Sequence, residues 1–229
     1  MPDEFSIDRR DLTDQVYDVL KTQILSRALR PNEKLSVDRV AKRLGISRTP
    51  AKDAINRLAA DGLITIERRV GSFVTPVTAK DIREIFSLRL LLELHAAREG
   101  IGNITLADIE VMQAILSEMA GYIVDDRYLP EAHARYIDLD HALHRYIIDS
   151  PGNDRLSAMY ENLDVHLHIA RVYYINDIEN AARGHGQHQA IVTAYLNQDS
   201  HILADVLQEH INEVRDLVLQ KLKSIGGIF

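Results

Sequence analysis

The sequence contains no cysteine. That absence removes disulfide frameworks, thiolate metal sites and cysteine nucleophiles together. No stretch approaches the ~20 consecutive apolar residues of a membrane span. The opening Met1-Pro2-Asp3-Glu4 is acidic and lacks an apolar secretory core, so no signal peptide and a cytoplasmic location are expected. Internal repeats and low-complexity segments are missing as well. Histidine is missing from the first 94 residues, and all ten lie between His95 and His210. An overall positive charge is also lacking, since the formal net charge is −7.

What is present is organised in two parts. At 229 residues the chain can form two domains, each with its own core. Residues 1–76 carry 14 Lys+Arg against 11 Asp+Glu, whereas residues 77–229 carry 13 against 23. Within 30–69 the balance is 10 basic to 5 acidic. A polyanion responds to the local field rather than to the total, so an acidic chain can still hold a DNA-binding segment.

Helical spacing of Leu12, Val16, Val19, Leu20, Ile24 and Leu25 predicts a first helix over about 12–26. Ser36 is placed to cap a second helix that ends at Gly45. Ser47 is placed to cap a third, with Pro50 in its first turn and Ala51, Ala54, Ile55, Leu58 and Ala59 as its buried stripe. Two β-rich runs, 63–67 and 72–75, flank the basic turn Arg68-Arg69-Val70-Gly71 and predict a hairpin. Beyond Lys80 helices are expected near 80–100, 105–123, 130–149, 153–175, 178–197 and 199–223. The expected fold is therefore mainly α: a winged helix-turn-helix of three helices plus a β-hairpin, then an all-α helical bundle. The expected bounds are a flexible N-terminus over 1–10, a DNA-binding domain over 11–76, a linker over 77–80, and an effector, metal-binding and dimerisation domain over 81–229.

A recognition helix that starts Ser47-Arg48-Thr49 offers hydroxyls, an arginine and free backbone amides to phosphates and base edges. Arg48 suits the O6 and N7 of guanine, and Lys52 and Arg57 follow along the helix. Arg68, Arg69 and Gly71 sit at the wing tip. The run from Leu35 to Pro50, continued by Ala54-Ile55-Asn56-Arg57-Leu58, Asp61-Gly62-Leu63-Ile64 and Gly71-Ser72-Phe73-Val74, resembles the GntR superfamily signature over roughly Leu12 to Pro76. The resemblance implies DNA contacts from Arg39, Ser47, Arg48, Thr49, Lys52, Arg57, Arg69 and Gly71. Two departures stand out: Lys52 where the family usually has arginine, and Asp38 where many members have a basic residue.

In the second part, Asp140 and His144 are i, i+4 on one helix face, and His188 and His210 lie on later helices. One carboxylate and three imidazoles suit a divalent transition metal, although such a helical pair alone is more often a surface ion pair. Arg89-Leu90-Leu91-Leu92-Glu93, Asp140-His141-Ala142-Leu143-His144 with Gly152-Asn153, His188-Gln189-Ala190-Ile191 and Ala204 to His210 resemble the all-α FCD domain of the FadR-type branch. That resemblance implies Asp140, His144, His188 and His210 as ligands of zinc, nickel or manganese. Leu143 stands where an aromatic is common. Arg89, Arg171 and His166 are the candidates for holding an effector, expected to be a small organic or sugar acid. For Arg89 the alternative is a salt bridge to Glu93. His141, His168, His95, His133, His185 and His201 read as structural or solvated.

The expectation is a ligand-responsive transcription regulator, a repressor and not an enzyme, bound as a homodimer to a pseudo-palindromic operator, with no membrane partner. Two alternatives use the same residues: a metal-dependent hydrolase or lyase joined to a DNA-binding module, and a direct metal sensor.

Overall fold

The computed structural model describes residues 12–124, 127–128, 133–163 and 178–228. The chain divides into two compact units, Met1–Pro76 and Val77–Phe229.

In the first unit α1 (Leu12–Leu25) buries Val16, Tyr17, Leu20 and Ile24 and packs on α3. A two-residue strand β1 (Lys34–Leu35) precedes α2 (Val37–Leu44). Ser36 caps α2 by accepting from the Arg39 amide, and Gly45 ends it at φ 67° with its N–H on the Ala41 carbonyl. That left-handed turn is open to glycine without steric cost. Next, α3 (Arg48–Ala60) buries Ala51, Ala54, Ile55 and Leu58. Ser47 occupies its N-cap position, but the hydroxyl makes no capping bond, so that expected cap is one of position only.

Strands β2 (Ile64–Glu67) and β3 (Gly71–Val74) pair antiparallel, with Ile64 opposite Val74 and Glu67 opposite Gly71. The expected hairpin is thus two strands of a three-stranded sheet, ordered β1-β3-β2. Sequence patterning could not show β1, because two residues carry no periodicity and their partner, β3, is distant in sequence.

The second unit begins with Val77 buried and Thr78 in a capping box with Asp81, so α4 (Ala79–Gly100) takes over within the expected linker. A 3-10 turn over Ile101–Asn103 leads to α5 (Leu106–Ala120). A short β4-β5 pair (Ile123–Val124 with Arg127–Tyr128) interrupts the otherwise helical unit. It also cuts α5 short of the expected residue 123. Then come α6 (His133–Asp149), α7 over 154–163, α8 (Ile178–Leu196) and α9 (Ser200–Ser224). The rest of the helix expected to 175 lies outside the described residues. Helix α4 packs on α6 and α9, while α8 packs on α5 and α9. Their shared core includes Met112, Met119, Leu143, Ile147, Ile191, Leu203, Leu207 and Val218. Among the described residues, no helix is long and apolar enough to cross a membrane.

Candidate functional site

In the first unit Arg48, Thr49, Lys52 and Asn56 line one concavity with Val37 and Ser72. Their spacing puts them along one face of α3. Ser47, Arg48, Thr49 and Lys52 are exposed. The first amides of α3 point outward beside them, a natural seat for phosphate. Asn56 was missed by sequence reasoning, although it lies four residues beyond Lys52 on the same face.

Arg57 is not on that face. Nine residues after Arg48, it lies on the opposite side of α3, where it pairs with Asp14 and stacks 4.2 Å from the centre of the Tyr17 ring. Its contacts tie α3 to α1. Arg39 is likewise engaged elsewhere: it donates to the Lys34 carbonyl, lies 3.3 Å from Glu33, and lines a separate cavity between α1 and α2.

Arg68, Arg69 and Val70 are exposed at the tip between β2 and β3, with Arg69 at φ 64°. Gly71 follows at φ 145°, and a Cβ there would meet Lys34 Cε at 2.7 Å. The backbone angle favours glycine here, whereas the overlying lysine end is flexible and can move aside.

In the second unit the structure brings Asp140 and His144 of α6, His188 of α8 and His210 of α9 together. One potential ligand atom from each lies within 4.8 Å of all the others, and all four residues are buried. His188 and His210 ring centres are 4.6 Å apart, and His144 is 5.3 Å from His210. Around one ion, bonds of about 2.0–2.1 Å leave ligand atoms roughly 3–4 Å apart, so this cluster would close by up to about 1 Å to hold one.

Hydrogen bonding fixes where the imidazole lone pairs point. His144 Nδ1 is 2.7 Å from Glu93 Oε2. A carboxylate only accepts, so Nδ1 carries the proton and Nε2 holds the lone pair. Arg89 Nη2, which can only donate, sits 2.9 Å from that Nε2. His210 Nδ1 is 2.8 Å from Gln187 Oε1, and Gln187 Nε2 donates to Glu213 at 2.6 Å. The acceptor-only Glu213 thus orients the amide, and the amide leaves His210 Nε2 as the free lone pair. His188 is 1% exposed, yet neither ring nitrogen has a hydrogen-bond partner. Its Nε2 is 3.2 Å from Asp140 Oδ1 without hydrogen-bond alignment. A buried imidazole with two unpartnered nitrogens is costly unless something else uses them. The donor set and the orphaned nitrogens fit a divalent ion held by nitrogen and oxygen.

Electrostatics keeps the ligands ready. Burial lowers His144 to about 4, against the opposing pull of Glu93. Burial and the neighbouring imidazoles hold His210 well below the ordinary range. Burial pushes Glu93 up, but Arg89 and His144 outweigh it and bring the carboxyl to about 2. Neutral imidazoles and an ionised Glu93 are the forms a metal needs at neutral pH.

Arg89 is fully buried, with its Nε 2.6 Å from Glu93 Oε1, so the alternative salt bridge is present and the guanidinium also reaches the cluster. Tyr160 donates to the same Glu93 oxygen at 3.0 Å. Sequence reasoning missed Glu93 as the hub that joins Arg89, His144 and Tyr160, and it missed Gln187. Their roles depend on contacts far apart in the chain. Arg171 and His166 lie outside the described residues, as does His168. His95 and His201 are exposed, and His185 lines a groove between α5 and α8.

Comparison with known proteins gives two family matches: "Bacterial regulatory proteins, gntR family" over residues 12–74 and "FCD domain" over residues 84–213. The chain is 27% identical over 210 residues to the HTH-type transcriptional regulator YdhC of Bacillus subtilis (strain 168), covering 85% of this chain and 92% of YdhC. It is 24% identical to the HTH-type transcriptional repressor GlaR of Escherichia coli (strain K12), covering 85% and 90%. The structure of E. coli McbR/YncC shares the fold, with a TM-score of 0.73 at 22% identity over 92% of this chain and 98% of that one.

Proposed function

The chain belongs to the gntR family of bacterial regulatory proteins and carries an FCD domain, and from that premise we propose that it is a repressor controlled by a small carboxylate at a metal-loaded site. It is a transcriptional regulator, and its family and relatives are regulators rather than enzymes. The domain division proposed is DNA binding over 11–76, a linker over 77–80 and effector control over 81–229. It works in the cytoplasm as a homodimer, placing two recognition helices on a pseudo-palindromic operator.

The DNA contacts come from Ser47, Arg48, Thr49 and Lys52 on α3 and from Arg69 and Gly71 in the wing. Asn56 joins them. Arg57 and Arg39 serve the module internally, because their guanidinium groups are engaged with Asp14 and Tyr17, and with Lys34 and Glu33.

The observation that carries the effector reading is the convergence of imidazole nitrogens: the Nε2 of His144 and His210 are fixed as lone pairs, and neither ring nitrogen of His188 has a hydrogen-bond partner. Asp140, His144, His188 and His210 would hold zinc, nickel or manganese. Such an ion supplies a Lewis-acid contact for carboxylate oxygens. Arg89 supplies the complementary cation. Its Nη2 now donates to His144 Nε2, the nitrogen that would ligate, so that donor must part from His144 and turn toward the incoming anion. Its Nε stays on Glu93. Arg171 and His166 complete the proposed effector contacts.

A thermal-shift screen of small organic and sugar acids tests this, run on metal-loaded and on chelator-treated protein. A true effector at about 100 times its Kd adds about 2.7 kcal/mol of stability in the loaded arm only. Equal behaviour in both arms for every acid would remove the effector reading. Release of DNA by metal alone would instead favour a direct metal sensor.

A further inference from the structure

We propose that Asp38 is a specificity-determining residue of the DNA interface: it holds Arg48 in a pose that reads guanine, at a cost in overall affinity. This rests on the reading of α3 as the helix that meets DNA. Asp38 is the second residue of α2 and Arg48 the first of α3, on either side of the Gly45 turn. Arg48 Nε lies 3.0 Å from Asp38 Oδ1. Both side chains face solvent, at 75% and 66% exposure, so neither is forced into this contact by packing.

The atom used decides the consequence. Nε is the guanidinium atom nearest Asp38, in a contact of charge without hydrogen-bond alignment, so Nη1 and Nη2 stay available to a base. Their planar end matches guanine O6 and N7. An arginine otherwise loses much rotamer freedom when it docks on a base. Asp38 restrains it beforehand. The helix-capping work at the start of α2 is done by Ser36, which accepts the Arg39 amide, so Asp38 is not needed as a cap.

Its charge has the opposite effect on affinity. A carboxylate on this face repels every phosphate backbone, whatever the sequence. A correct guanine regains Arg48 in a prepared pose, whereas a wrong base meets a restrained arginine and an unfavourable charge. The remaining oxygen of Asp38 can also accept from a cytosine N4 amino group. The residue thus lowers binding to all DNA and lowers it least where the right base pair stands.

The test is selection of the full-length chain on a pool of random-sequence duplexes, with wild type, Asp38→Asn, Asp38→Glu and Arg48→Ala in parallel. Arg48→Ala identifies the position whose guanine depends on that arginine. If it leaves the selected motif and the affinity intact, the assignment of α3 to DNA fails first, separately from the role of Asp38. Given such a position, Asp38→Asn should bind random duplex several-fold more tightly and lose about two- to fivefold of its guanine enrichment there, the scale of an exposed ion pair. Asp38→Glu should keep most of the enrichment. Unchanged enrichment in Asp38→Asn, in protein whose thermal unfolding matches wild type, would overturn the proposal and reduce Asp38 to a favourable charge at the start of α2.

Discussion

Replacing Glu93 by glutamine probes the buried cluster at its hub. Glu93 accepts from Arg89 Nε at 2.6 Å, from Tyr160 at 3.0 Å and from His144 Nδ1 at 2.7 Å, and it is fully buried. Glutamine keeps the volume but removes the charge and turns one acceptor into a donor. Two consequences are separable. Arg89 becomes a buried cation without its carboxylate, which costs about 3–5 kcal/mol in comparable pairs. In addition, an amide N–H directed at His144 opposes the Nδ1 proton. The ring then shifts its proton to Nε2 and caps the lone pair that faces the cluster, which should lower metal affinity by about 10–100-fold. Denaturant unfolding of the metal-free chain reads the first effect, and competition with a chromogenic chelator reads the second. Loss of less than about 1 kcal/mol together with unchanged metal affinity would refute the assignment of Glu93 as the group that orients His144 and holds Arg89.

His188→Ala and His210→Ala should each sharply reduce bound metal in elemental analysis; unchanged stoichiometry in both would remove the ligand assignment. In the metal-free chain His144 falls from 6.5 to about 4, so its unfolded form binds the extra proton. Stability from the buried neutral ring is present above the unfolded value of 6.5 and is lost as pH falls toward 4. Glu93 adds stability above 4.5 that is lost toward about pH 2, so acid unfolding should proceed through both windows, and a flat stability profile from pH 7 to 4 would contradict the His144 assignment. Arg69→Gly removes a side chain held at φ 64°. Relief of roughly 1–2 kcal/mol of left-handed strain is offset by about 0.5–1 kcal/mol of glycine entropy, leaving stability within about 1 kcal/mol of wild type. DNA affinity should nevertheless fall and the salt slope should decrease by about 1, as for a lost phosphate contact; an unchanged slope would count against a wing contact.

Local signals were legible where local physics decides. Ser36 and Gly45 delimit α2 as read, because an extended cap and a left-handed stop are properties of single residues. The α3 stripe of Ala51, Ala54, Ile55 and Leu58 is buried as its spacing required. Arg57 was grouped with the DNA-facing residues by its charge, whereas the 3.6-residue period puts it opposite Arg48, where it meets Asp14. The three imidazoles and Asp140 were grouped by resemblance, and the packing of α6, α8 and α9 brings them within reach of one another. Arg89 and Glu93 were visible as an i, i+4 pair. Their extension to His144 was not visible, because it depends on how α4 lies against α6. Strand β1 and the β4-β5 pair escaped for the same reason, since pairs of two residues exist only through their partners.

Control of DNA binding through the buried cluster is open to one titration. Operator duplex obtained by selection is titrated with metal-loaded wild type, chelator-treated wild type and His188→Ala, each with and without the acid that gives the largest thermal shift. Metal-loaded wild type should lose at least about tenfold in operator affinity when the acid is added, a change of about 1.4 kcal/mol, and the other two forms should not respond to it. An operator Kd that is the same with and without the acid in metal-loaded wild type would contradict ligand control through this site.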